Sequence, residues 1–244
     1  MKKYIRTLKE HILVSKDEFI LYGVVSLIGA IIGIVMVFVI MAVDGTGEDY
    51  GELGSLFALM IGAIALLFGG IYGTQTDFNM AISMGKTRKH FVPAKYISLV
   101  IETIMLIAIA SLVGWIEGIL YNAIYPAAVN ELHVSAWLDY PLVLVGVALG
   151  IPAITMLLGT LLMIFGQKFF WVIWFLWMFG CIGLPRIIAT VAHDPESGLG
   201  QFSAAVVRFI AGLPRGSLTI VMFLIILVVV VADYILLRKQ RVTS

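Results

Sequence analysis

Three carboxylates interrupt apolar stretches that are otherwise long enough to cross a bilayer: Glu102, Glu117 and Asp233. A carboxylate inside hydrocarbon is costly, so such residues are read first as parts of a proton or ion path. Glu102 and Glu117 also have an ordinary reading. They lie near the two ends of one apolar span, where headgroup water solvates a carboxylate. The other stretch with chemistry in it is Asp77 to Phe91, a basic island between two apolar segments. Its Gly85-Lys86-Thr87 looks like the tail of a phosphate-binding loop. That loop needs a glycine five positions before Gly85, following a buried strand. Met80 stands there, after a membrane-length apolar run, so nucleotide binding by this chain is excluded and the island is read as a docking element.

Other chemistry is missing from the motifs. His11, His90, His133 and His193 are scattered, and neither His-Glu-x-x-His nor Cys-x-x-Cys occurs, so no metal site is expected. His193-Asp194-Pro195-Glu196 reads as a turn. Cys181 is the one cysteine, within an apolar run, and is expected to pack. There is no Gly-x-Ser-x-Gly and no nucleophile with an evident base. The chain is expected to be no enzyme and to need no cofactor.

The elements around these residues are membrane helices. Of 244 residues, 61% are hydrophobic and 13% charged, against about 25% charged in a soluble domain, and the mean hydropathy is +1.05. The apolar runs are continuous and do not alternate, which predicts helices and excludes a barrel. The expected fold is all-α, a single transmembrane domain over 1–244 with six spans: about 19–43, 56–73, 96–122, 142–165, 169–184 and 218–237. Residues 1–18 carry Lys2, Lys3, Arg6, Lys9 and Lys16 with Ile5, Leu8 and Ile12 at helical spacing, which predicts an amphipathic helix on an anionic membrane face. The run after it is too long for the core of a signal peptide. Gly29/Gly33 and Gly69/Gly73 repeat a four-residue spacing that permits close helix approach. Residues 77–91 are expected as a separate short helix capped by Thr76 or Asp77 and ended or kinked at Gly85, with Pro93 opening the next span. The fifth span is aromatic, with Trp174 and Trp177 among its rings. Residues 185–214 are broken by Pro195 and by charges, and read as short outer helices.

With both termini cytoplasmic, the inner segments hold Lys2, Lys3, Arg6, Lys9, Lys16, Lys86, Arg88, Lys89, Lys95, Lys168, Arg238, Lys239 and Arg241, and the outer side only Arg186, Arg208 and Arg215. The positive-inside bias therefore sets the expected orientation. Tyr121, Tyr125, Trp137 and Tyr140 are expected in an outer aromatic belt.

Six spans with inner termini, the basic start, and Ala81-Ile82-Ser83-Met84-Gly85-Lys86-Thr87-Arg88-Lys89-His90-Phe91 between spans two and three resemble the permease subunits of bacterial ABC-2-type ABC transporters. The architecture covers nearly the whole chain, and the motif about a dozen residues. The resemblance implies a permease in the cell membrane, paired with a second copy or paralogue and served by a separate cytoplasmic ATPase. It implies that 78–91 is the coupling helix, with Phe78, Ile82, Met84, Gly85, Lys86, Arg88 and Lys89 docking the ATPase. It also implies export, here of an amphipathic or hydrophobic peptide or drug, as in exporters similar to the phenol-soluble-modulin type. Glu102, Glu117, Trp174 and Trp177 are the candidate pathway or gating residues. The partners expected are that ATPase, the second permease and the bilayer, with no nucleic acid. Two rival readings stay open. One is a proton-coupled secondary transporter working through Glu102, Glu117 and Asp233. The other is a non-transporting immunity or signalling protein.

Overall fold

The computed structural model describes residues 16–44, 49–85, 87–124, 129–132, 140–183, 201 and 215–239. Residues 1–15 of the expected N-terminal interfacial helix and nearly all of the expected outer segment 185–214 lie outside these residues, and 16–18 belong to the first long helix. In chain order the elements are α1 (Lys16–Asp44), β1 (Asp49–Gly51), α2 (Leu53–Ser83), α3 (Arg88–Ile124), β2 (Val129–Leu132), α4 (Pro141–Phe165), α5 (Gln167–Met178), a π-helical turn (Phe179–Gly183) and α6 (Arg215–Lys239).

Five of these helices are long and apolar enough to cross a membrane: α1, α2, α3, α4 and α6. The expected fifth span is different. It is a 12-residue helix running into one π turn, about 18 Å of α-helix at about 1.5 Å per residue, which alone falls short of about 30 Å of hydrocarbon. Glycine spacing reports how the long helices run. Side chains built at Gly146 and Gly150 of α4 would meet Met222 and Ile226 of α6, so these two helices are parallel. The chain must therefore return from one end of the bundle to the other between Phe165 and Arg215, and α5 with its π turn begins that return. The fold is all-helical as expected, apart from one short ladder: β1 and β2, which follow α1 and α3 at the same end, pair in parallel, Asp49 with Val129 and Tyr50 with Asn130.

The contact of α1 with α2 is the most extensive between described helices, and both glycine pairs lie in it. Moving along the antiparallel pair, Gly33 lies on the Leu53–Gly54 backbone, Gly29 on the Phe57 carbonyl, Ser26 on Gly62, Tyr22 on Gly69, and Glu18 on Gly73. With no side chain in the way, the Ser26 hydroxyl donates to the Ala58 carbonyl of the other helix at 2.9 Å. A small-residue seam of this kind is how helices associate where water gives no hydrophobic drive. The outward stripe of α1, including Leu21, Ile28, Ile31 and Val35, is apolar and about half exposed, as a lipid-facing surface requires.

No separate helix exists over 77–91. Residues 77–83 are the last turns of the 31-residue α2, and 88–91 begin the 37-residue α3. The physical reason is that Thr76 and Asp77 do not cap anything: the Thr76 hydroxyl bonds back to the Tyr72 carbonyl of the previous turn, and Asp77 faces the interior. α2 ends instead at Gly85, whose φ of +73° is the left-handed conformation that glycine adopts without strain. α3 restarts on the Thr87 carbonyl, which accepts from His90 N at 2.9 Å and Phe91 N at 3.2 Å. Pro93 lies inside α3, not at its start.

Candidate functional site

The basic end of the bundle holds the start of α1, the end of α2, the start of α3 and the end of α6. Three charged side chains meet there. Lys95 Nζ donates to Asp77 Oδ2 at 2.6 Å and to Glu18 Oε2 at 3.3 Å. Lys95 is fully buried, Asp77 nearly so, and Glu18 about a quarter exposed. Each comes from a different helix, so the ammonium ties α1, α2 and α3 together at one point. Gly73 provides the space: a Cβ there would stand 2.8 Å from Glu18 Oε1 and 3.5 Å from Lys95 Nζ. Lys95 is thus an interior residue, not one of the surface cations of the inner face. An exposed pair of this type is worth little. A buried one makes each partner dependent on the others, because removing one leaves an uncompensated charge.

Glu102 lies two turns further along α3 and is also fully buried. Its Oε1 accepts from Ser98 Oγ at 3.2 Å, while its Oε2 meets no polar partner among the described residues. The expectation that headgroup water solvates Glu102 is overturned, because the face of α3 that carries Lys95, Ser98 and Glu102 turns into the bundle. This polar stripe at helical spacing was legible in the sequence, and it is the signal that could have found the cluster.

Glu117 is buried too, but it does other work. Its carboxylate accepts from Gly54 N and Ser55 N at 2.8 Å each and from the Tyr121 hydroxyl at 3.0 Å. It is a cap supplied by α3 to the first turn of α2, where the helix presents unpaired N–H groups and a positive dipole end. Tyr121, expected in the outer aromatic belt, is fully buried as its partner. Glu117 is therefore not solvated, and these hydrogen bonds go to the start of α2 and to Tyr121. Truncating Glu117 to Ala is expected to lower stability by about 2–4 kcal/mol, since it orphans two buried backbone donors, with Glu117→Gln costing less. A thermal melt of the purified variants in detergent checks this, and an unchanged melting temperature for Glu117→Ala would show that the cap carries no weight.

Asp233, near the end of α6, is 2% exposed and hydrogen-bonded with Thr160 of α4. Among the described residues, Trp174 and Trp177 pack on other rings. Trp177 packs edge-on against Phe68 at 5.8 Å, and Trp174 is 41% exposed beside Trp171. On the expected docking surface, Phe78 is fully buried and packs edge-on against Phe91 at 5.4 Å. It cannot reach a partner; the continuous α2 turns it into the core, where Ile82 packs half-buried against the same cluster. Met84 and Gly85 are exposed. Lys86 lies outside the described residues, as do the side chains of Arg88 and Lys89. Among the described residues no group of three His, Cys, Asp or Glu side chains is placed to hold a metal.

The chain matches no family model, and no curated protein or solved structure is significantly similar to it. The arrangement itself is that of a multi-pass membrane protein with a buried, acid-rich charge cluster at its basic end.

Proposed function

We propose that this chain is the membrane-spanning subunit of an ATP-driven exporter of amphipathic or hydrophobic molecules, with a separate ATPase docking at the α2–α3 turn. The observation that supports this reading is the length and bracing of that hairpin. At about 1.5 Å per residue, α2 extends about 46 Å and α3 about 55 Å, well beyond about 30 Å of hydrocarbon. The excess of α2 lies at the Gly85 end, since its apolar run closes near Gly73. The turn carries Met84 as an exposed apolar contact, with Lys86, Arg88 and Lys89 beside it in sequence.

The hairpin is stiff where a lever must be. Phe78 and Phe91 lock its two arms, and Lys95 binds its base to α1. A push on the turn by a closing ATPase dimer would therefore reach three helices at once. Coupling then requires the ATPase to bind the two shapes of the membrane subunit with different affinity. The crowding of basic residues at this end supports a cytoplasmic position by the positive-inside bias, and the resemblance of 81–91 to ABC-2-type permeases supports a bacterial cell membrane. A second permease copy completes the pathway.

The test is charge reversal of Lys86, Arg88 and Lys89 together, with tagged chain extracted gently from its host. The wild-type chain is expected to bring down a stoichiometric subunit with ATPase activity, and the triple variant to lose that activity at least about tenfold while remaining in the membrane. ATPase recovery unchanged by the triple reversal would refute docking at this turn. One observation favours a second reading, proton-coupled transport: Glu102 is buried, and one of its oxygens has no partner among the described residues. Flux driven by a proton gradient in vesicles holding this chain alone would establish that reading instead.

A further inference from the structure

Between α3, α4 and α6, at the basic end, lies a cavity of about 710 Å³, within the range of about 300–1,000 Å³ typical of small-molecule sites. Its walls are mostly apolar, with Val92 and Ile97 from α3, Met156 from α4 and Val230 from α6, and His90, Tyr96 and Tyr234 add polar atoms to the lining, the Tyr96 hydroxyl already donating to the Leu149 carbonyl at 2.9 Å. Asp233 is set into this lining. It is 2% exposed, and among the described residues no ammonium or guanidinium pairs with it. Thr160 is its hydrogen-bond partner. The Thr160 hydroxyl has a single hydrogen and also reaches the Met156 carbonyl at 2.9 Å, so the described residues offer Asp233 at most one donor.

A buried carboxylate with this little compensation is costly, and the cavity beside it has room for what is missing. We propose that the cavity is a binding site for a single-tailed amphiphile bearing a protonated amine, with Asp233 as counter-ion to the amine. Charge complementarity selects the head: a carboxylate in a mostly apolar wall favours a cation with hydrogen-bond donors over a neutral or anionic group. The walls select the tail. Depth agrees with both, because Asp233 lies six residues before Lys239, near the interface, while Ile97 and Ala153 line the cavity further into the bundle. An amine headgroup at the interface and a tail directed inward is the posture of such a molecule in a leaflet. The cavity is partly open beside Ile97 and Val231, both substantially exposed, so the amphiphile enters sideways from the bilayer.

As a statement about cargo this deepens the export reading and rests on it. As a binding site it stands alone, since the assay uses the purified chain with no ATPase, so loss of either claim leaves the other measurable. The probes are dodecylamine, dodecanol and dodecanoate, titrated into the full chain in nanodiscs of uncharged lipid and followed by native mass spectrometry. Wild-type protein is expected to bind the amine at least about tenfold more tightly than the alcohol, with the carboxylate weakest. Asp233→Asn keeps the shape and the Thr160 contact, and is expected to bring the amine-to-alcohol ratio to near one. That ratio cancels differences in partitioning into lipid. Val230→Trp fills the cavity while leaving Asp233 in place, and is expected to remove binding of both. Equal binding of amine and alcohol by the wild type would mean a crevice for any acyl chain and would overturn the proposal. So would an amine preference that survives Asp233→Asn in a variant whose melting temperature is unchanged.

Discussion

Lys95→Met is expected to cost about 3–5 kcal/mol, enough to remove most of the folded protein. Lys95 is fully buried, and its loss leaves Asp77, 9% exposed, facing Glu18 across the space the ammonium occupied. Two carboxylates then repel in a low-dielectric site with nothing between them, and breaking a buried ion pair from one side carries a penalty of this size. The side chain itself is not what is missed, since methionine replaces most of the apolar stem. The expected readout is loss of monodisperse protein on size-exclusion in mild detergent. The decisive companion is the triple variant Glu18→Gln, Asp77→Asn, Lys95→Met, which removes the charges together. It is expected to recover most of the folded material, because replacing a whole buried ion cluster by neutral groups is often near neutral. A Lys95→Met protein as stable as wild type would show that the three helices are not joined electrostatically here, and would remove the brace from the proposed lever.

Gly33→Leu is expected to have the second-largest effect, separating α1 from α2. A Cβ at Gly33 runs into the Leu53 carbonyl and the Gly54 Cα, and one at Gly29 would stand 2.8 Å from the Phe57 carbonyl oxygen. These obstacles are backbone atoms, which do not step aside as a flexible side chain does. The helices must therefore move apart, with a cost of about 1–3 kcal/mol for overpacking plus loss of the Ser26–Ala58 hydrogen bond. Gly118 is the matched control, in a membrane helix with nothing within 4 Å of a built Cβ, and Gly118→Leu is expected to be silent. Melting temperatures of the two variants in one detergent decide it. Equal melting temperatures would mean that α1 sits loosely and that the glycine seam is incidental.

The two predictions share a feature of the sequence that could be read in one case and not in the other. The pairs Gly29/Gly33 and Gly69/Gly73 marked their own faces by spacing alone, and the structure sets both pairs on the α1–α2 seam. Spacing is a local property, and a helix converts it directly into a face. Lys95 carried no such mark in the inventory of inner cations. A lysine near a span end looks the same whether it snorkels to water or turns inward, and Asp77 and Glu18 lie 18 and 77 residues away in the chain. The polar run Lys95, Ser98, Glu102 along one face was the available clue.

The docking island shows the opposite failure. Its cations and its Gly85 turn were evident, but interleaved Phe78 and Ile82 read as a binding face when they are the core of the hairpin. An apolar residue near a basic loop can serve either end, and only the continuity of α2 through Ser83 turns Phe78 toward Phe91. Glu117 was similarly ambiguous: its depth near a span end suggested solvent, whereas the first turn of α2 stands opposite and takes both of its oxygens.

Composition and continuous apolar runs determined by themselves that this is a helical, multi-pass membrane protein, and the distribution of Lys and Arg defined a basic end. These follow from the sequence because burial in hydrocarbon acts on each segment separately: every helix must satisfy its own backbone and present apolar side chains over its own length. Tertiary structure alone decided which charged groups are structural, which are paired and which face a cavity. A carboxylate's role depends on what stands within hydrogen-bonding reach, and in this chain the two backbone donors to Glu117 are 63 and 62 residues away and the hydroxyl beside Asp233 is 73.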